Sequence, residues 1–219
     1  MENKYIVIIL VVIVIAIVGV IFATGILGGN APGKTTPFET EFMEGSFVGD
    51  VKLVNDTEKF IHSYEDKQHN ITYNISTVDN SSALMEIYKL QGVSGPEERT
   101  FNGNDWNIYF TQAVPGNNSN KTDEIMNIII CESQGKNQGY MIYMIIGNNS
   151  DVKSTMNTFG ESYTDYVEPL LKSVELKKSK NVPSINEEFG LTKEEFAQQM
   201  ELIEQYKAGN TSALEGNSS

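Results

Sequence analysis

From Tyr5 to Leu27 the chain carries no charged side chain. At about 1.5 Å per residue, a run of about 23 residues reaches roughly 35 Å as a helix, enough to span a ~30 Å hydrocarbon core with some tilt. Lipid offers backbone amides no water to bond with, so a helix is the form such a run takes there. The competing reading is a cleaved signal peptide. Its apolar stretch would run to roughly 7–15 residues and end at a small-x-small site. Phe22-Ala23-Thr24-Gly25 is a poor cleavage signal, and no Cys follows to take a lipid. The sequence therefore predicts an uncleaved, single-pass signal-anchor over 1–28, a transmembrane helix at the head of the chain.

Lys4 and the terminal amine precede the run, Glu2 partly opposes them, and Lys34 is the first cation after it. The positive-inside tendency then leaves the N-terminus in the cytoplasm and the rest outside the cell membrane, an extracytoplasmic location. Asn-x-Ser/Thr sequons agree with that side. They fall at Asn55, Asn70, Asn74, Asn80, Asn117, Asn120, Asn148, Asn210 and Asn217, the candidate positions for N-glycans.

Sixteen Lys and Arg stand against twenty-nine Asp and Glu, a net charge of −13, and Arg99 is the single arginine. Nucleic acid is excluded as a partner, because displacing counterions from phosphates takes clustered cations. Cys131 is alone, so no intramolecular disulfide forms. Its setting, Asn127-Ile128-Ile129-Ile130-Cys131, is that of a buried strand residue acting as a small hydrophobe.

Gly28 to Pro37 reads as a flexible stalk, since Gly and Pro both deny it regular structure. The predicted division is 1–28 anchor, 29–41 stalk, 42–178 folded domain, 179–190 linker, 191–208 C-terminal helix and 209–219 disordered tail. Within the domain, Ser46–Val54 reads as one strand around Gly49. In Ile71–Ser76 the residues Ile71, Tyr73 and Ile75 alternate with Thr72, Asn74 and Ser76, the pattern of a half-buried antiparallel strand. Ala83–Leu90 fits either period, and a strand paired back on its predecessor is favoured. Gly92–Thr100 reads as a loop. Trp106–Val114 alternates again, and Ile125–Cys131 and Tyr140–Ile146 are apolar on both faces, which predicts central strands covered twice.

From Val152 to Val174 apolar residues recur at helical spacing, a long amphipathic helix that Pro169 should kink or end near Tyr166. Val174-Glu175-Leu176 returns as an edge strand. Thr192 with Glu195 makes a capping box, and Leu191 with Phe196 the matching staple. The fold class expected is α+β: an N-terminal transmembrane helix, then an antiparallel β-sheet with a long amphipathic helix packed on one face, plus a C-terminal capped helix.

Phosphate loops, dinucleotide fingerprints, paired-Cys zinc patterns and Gly-x-Ser-x-Gly elbows are absent from the sequence, and no cofactor is expected. His62 and His69 flank Glu65 and Asp66, and these four could converge on a metal or a hydrolytic centre; a solvated loop before a strand accounts for them equally well. Trp106, beside Tyr109 and Phe110, reads as a core anchor; a carbohydrate- or peptide-binding platform of Trp106 with Tyr109 is the alternative and the candidate binding site. Phe196, Met200 and Ile203 line one face of the last helix, which packs on its own domain or docks in a partner's groove.

Tyr73-Asn74-Ile75-Ser76, Asn102-Gly103-Asn104-Asp105-Trp106-Asn107-Ile108-Tyr109 and Tyr166-Val167-Glu168-Pro169-Leu170-Leu171-Lys172-Ser173-Val174 follow one another in an order that resembles small, N-terminally anchored proteins of methanogenic archaea. The soluble part of those proteins resembles the fold of the oxygen-evolving-complex P subunit (PsbP-like). The resemblance covers about Phe47 to Leu176 and implies an antiparallel sheet with a long helix near its end and a surface location. It carries no catalytic residue across. The function expected is a membrane-anchored, extracytoplasmic, non-catalytic binding or assembly module of the cell envelope, with a protein or glycan as partner. The alternative is an envelope hydrolase or metal-dependent enzyme using the His62–His69 region.

Overall fold

The computed structural model describes residues 34–58, 60–90, 92–113, 125–148, 150–152 and 160–208. Two antiparallel sheets organise them. The smaller contains β1 (Thr35–Glu39), β2 (Met43–Val48) and β10 (Glu175–Leu176), in the order β1-β2-β10. The larger contains β3 (Lys52–Glu58), β4 (Ile61–Asp66), β5 (Ile71–Val78), β6 (Ser94–Phe101), β7 (Asn104–Ala113), β8 (Met126–Gln134) and β9 (Gly139–Ile146), in the order β3-β4-β5-β9-β8-β7-β6. The helices are α1 (Ser81–Lys89), a π-helical turn Tyr163–Val167 running into α2 (Glu168–Ser173), α3 (Ile185–Glu188) and α4 (Lys193–Lys207).

Register explains the layering. Ile75 pairs with Ile142, Ile142 with Cys131, and Cys131 with Ile108, so these residues share one face across β5, β9, β8 and β7. That face meets Phe38, Phe42, Met43 and Phe47 of the small sheet and its first turn, and Tyr163, Val167, Leu170 and Leu171 of the helical segment. The opposite face carries Met141, Tyr143, Ile145, Ile128, Ile130 and Tyr109 beneath α1, Ile185 and, more loosely, α4. β9 is buried at every position because it lies mid-sheet under both layers.

The structure corrects the expected fold class. The chain is mostly β, with ten strands and few helices among the described residues, rather than α+β around a long helix. Residues 153–159 of the expected long helix lie outside the described residues; the remainder forms the π-helical turn and the six-residue α2, with Pro169 in the first turn of α2. The transmembrane expectation is corrected with it. Among the described residues no helix is long and apolar enough to cross a membrane. The longest, α4, has 15 residues and repeats Glu, Gln and Lys along its length, where a span needs about 20 apolar ones. The run assigned to 1–28 lies outside the described residues, as does the tail 209–219.

Local readings shift too, each for a physical reason. Ala83–Leu90 is helical as part of α1, because Asn80 Oδ1 accepts the Ala83 N–H at 3.0 Å and caps the first turn. The stretch expected as one strand from Ser46 to Val54 divides between two sheets at Gly49, whose φ is +102°. Thr35–Glu39, expected in the stalk, pairs with β2 and buries Phe38. Gly92–Thr100, expected as a loop, largely forms β6; Pro96 is tolerated there because an edge strand need not donate on its outer side.

Candidate functional site

Trp106 and Tyr109 point to opposite faces of β7 and are 1% and 3% exposed, so the fold brings them to different cores and to no common surface. Phe196, Met200 and Ile203 are partly buried against the α1-side core, with Phe196 stacked on Phe189 at 5.9 Å. The capping box is made: the Thr192 N–H donates to Glu195 Oε2 at 2.9 Å, and the Glu195 N–H donates to Thr192 Oγ1 at 3.2 Å.

His62 and His69 do not converge. His62 lies on β4 opposite Ile75 with its ring 5.5 Å from Phe42, whereas His69 sits in the β4–β5 turn. Asp66 Oδ1 accepts the Gln68 and His69 N–H groups at 3.0 and 3.2 Å, and Asp66 Oδ2 lies 2.7 Å from His69 Nδ1. The carboxylate is fully buried, and a Cβ at Gly49 would come within 2.7 Å of Oδ2. His69 Nε2 meets the Gln68 side-chain amide at 3.1 Å, and its ring packs edge-on to Tyr166. The group thus staples the turn to the helical segment. Among the described residues, no three His, Cys, Asp or Glu side chains are placed to hold a metal ion.

A second buried carboxylate is one that the sequence does not single out. Glu132 on β8 is 0% exposed; its Oε1 accepts from the hydroxyls of Ser81 and Ser82 at 2.7 and 2.9 Å, and its Oε2 from Asn107 Nδ2 at 2.8 Å. The first turn of α1 has no acid of its own, so Glu132 supplies the negative charge that a helix N-terminus favours. The signal available in sequence is a lone acid closing the apolar run Ile128–Cys131. Cys131 itself is buried, and burial pushes its thiol up, away from the thiolate a nucleophile needs.

Of the sequons, Asn74 is buried on β5, whereas Asn70, Asn80 and Asn148 are exposed and Asn55 is half-buried on β3. The Asn70 side-chain amide lies against Gly147, and that of Asn80 caps α1. Asn117, Asn120, Asn210 and Asn217 lie outside the described residues.

Among the described residues, the surface feature that stands out is the β3 edge of the large sheet. Leu53 and Val54 are 50% and 52% exposed, although apolar residues in a strand read as core. The ladder to β4 slips between Leu53 and Asn55, which leaves two consecutive apolar residues in solvent. Every edge among the described residues carries some feature that discourages strand addition: β6 has Pro96 with exposed Glu97, Glu98 and Arg99, β1 has Pro37, β10 has only two residues, and β3 has its register shifts and exposed Lys52.

Buried and half-buried tyrosines give the fold an alkaline limit. Burial, reinforced by Glu168 beside Tyr163 and by Asp66 and Asp151 beside Tyr166, pushes both hydroxyls up to about 12; Tyr73 and Tyr109 move the same way. These raised groups leave stability intact below the ordinary tyrosine range near ~10 and remove it as pH rises toward the folded values, because the unfolded chain ionises first. Tyrosinate absorbance of the native protein should therefore lag that of the urea-unfolded protein, with unfolding setting in above pH ~10. Coincident titration curves would contradict the burial of these hydroxyls.

No protein-family model matches the sequence, and no curated protein is similar to it. A crystal structure of a protein from Bacteroides thetaiotaomicron VPI-5482 is similar at 10% identity and a TM-score of 0.42, over 69% of this chain and 51% of that one. The chain thus spans about half the length of that protein.

Proposed function

We propose that this chain is a non-catalytic binding or assembly module whose contact surface is the edge of β3. The observation that carries the reading is the exposure of Leu53 and Val54, two consecutive apolar residues on an edge strand of the large sheet among the described residues. Fully burying one such side chain is worth about 1.5–3 kcal/mol, so two left half in water favour a partner that covers them. A sheet edge is also where a polypeptide can dock by adding a strand. The hydrolytic reading has one observation on its side, the Asp66–His69 pair, since a carboxylate on Nδ1 is how a general base is oriented. Its Nε2 faces the Gln68 amide and its backbone is tied into the turn, which fits a structural staple better.

A photo-crosslinking residue introduced at position 54 of the full chain in its own cells tests the proposal, with position 98 on β6 as the control. The expected result is a protein adduct from position 54 and none from 98. Equal yields from both positions, or no adduct from 54, would count against the β3 edge.

A further inference from the structure

Independently of the β3 edge, we infer that α4 is a hinged cover: it lifts off the α1-side core as one unit while α3 stays seated. The two helices are held differently. α3 is fastened to the large sheet through Asp79, the residue that follows β5. Asp79 Oδ1 accepts the Ile185 N–H at 2.9 Å, Asp79 Oδ2 accepts the Ser184 hydroxyl at 2.7 Å, and the Asp79 N–H donates to the Pro183 carbonyl at 2.9 Å. Ile185 is 4% exposed within the α1-side core. α4 rests on that core with no fully buried side chain among those described; Phe196, Met200 and Ile203 are partly buried there. α1, on the same face, buries six of its nine residues. The Phe189–Phe196 stack, at 5.9 Å, is the seam between the fixed helix and the moving one.

Between the two helices the chain passes through two motifs, each complete in itself. α3 ends in a Schellman turn: the Gly190 N–H donates to the Glu187 carbonyl and the Leu191 N–H to the Asn186 carbonyl, both at 2.9 Å, with Gly190 at φ +64°. Asn186 Nδ2 closes the turn on the Leu191 carbonyl at 2.9 Å. The capping box of α4 then begins at Thr192, whose Oγ1 accepts the Glu195 N–H and whose carbonyl accepts the Phe196 N–H. The Leu191–Thr192 link is therefore the hinge. Rotation there keeps the backbone bonds of both motifs and asks the Asn186 and Glu195 side chains to follow. Few buried apolar contacts and a backbone satisfied within its own helix mark a segment that opens well below global unfolding. A fifteen-residue helix is marginal in water without a surface, so once lifted α4 loses helix and its amides exchange. The chain thus has a closed state, with the Phe196, Met200 and Ile203 stripe against the core, and an open state with both in water.

Residue-resolved amide hydrogen exchange of the full chain in increasing urea tests the hinge. The amides of 197–205 are expected to be at least about a hundredfold less protected than those of 141–145 in β9, with one shallow urea slope shared along α4. The Ile185 amide is expected to exchange more slowly than any of them. Ile129→Val weakens the core on the far face of the sheet, where Ile129 is 1% exposed, in the open and closed states alike. It should lower the protection of 141–145 several-fold and leave 197–205 unchanged. A common fall in both stretches, or equal protection and slope in the parent chain, would mean that α4 opens only with the whole fold and overturns the cover. Protection that declines steadily toward Lys207 with no urea slope would mean fraying from the end, and overturns the single unit. An Ile185 amide that exchanges together with α4 overturns the hinge at Leu191–Thr192. Should Ile129→Val fail to fold, the slopes of the parent chain decide the matter alone.

Discussion

Replacing Trp106 by Ala is expected to destabilise the fold by about 3–5 kcal/mol, the usual cost of emptying a large aromatic site in a core. The indole is 1% exposed and lies on the face of β7 that carries Ile108 and Phe110, beneath the small sheet and the helical segment. Among the described residues its Nε1–H has no acceptor, so part of what the side chain gains by burial is spent on an unbonded donor. Trp106→Phe should therefore cost much less than Trp106→Ala, since it keeps most of the ring volume and removes that donor. Urea midpoints of the two variants at unchanged slope test this ordering. A Trp106→Ala loss under about 1 kcal/mol would be incompatible with a core role.

That prediction concerns a residue whose burial sequence could suggest, and the contrast with others shows where the signal lies. Trp106, Ile108 and Phe110 alternate against polar neighbours, and Ile71, Tyr73 and Ile75 do the same, so β7 and β5 were legible as strands. β8 and β9 were legible as central because both of their faces are apolar, a pattern that a strand covered on one side does not produce. The capping box at Thr192 was legible because it is a local hydrogen-bond exchange that needs no tertiary context.

α1 was not legible from its apolar residues, which fit two periods over eight positions; Asn80 decides the matter, and it also looks like a turn residue. β6 hid behind Pro96 and three charges, which exclude a central strand and not an edge. The separation of β2 from β3 depends on a single left-handed glycine, Gly49, and on which sheet each half can reach. At the candidate site the failure runs the other way. Leu53 and Val54 look like core in sequence, and only a ladder that slips against β4 leaves them in water. The carboxylates of Asp66 and Glu132 look like surface, and only their donors, distant in sequence for Glu132, account for their burial.

Gly139→Ala is expected to cost about 3–5 kcal/mol, a large effect for one methyl group. A Cβ at this position would lie 2.0 Å from Ser81 Oγ and 2.4 Å from Ser81 Cβ, distances no contact survives. Ser81 cannot yield by rotating a long side chain, because its Cβ is fixed to the first residue of α1. The helix terminus must move, and with it the Ser81 and Ser82 hydroxyls that meet Glu132 and the Ser81 N–H that donates to Gln134 Oε1 at 2.8 Å. Overpacking of this kind costs about 1–3 kcal/mol, and each lost hydrogen bond to a buried charge about 1.5–3 kcal/mol. The same displacement lifts Ala83 and Leu84 from the α1-side core. Ser81→Gly removes the obstructing Cβ, so the double variant Ser81→Gly/Gly139→Ala should be less destabilised than the two single losses summed. Strict additivity in denaturant unfolding, or a Gly139→Ala loss below about 1 kcal/mol, would show that the approach of β9 to α1 does not hold Glu132 in place.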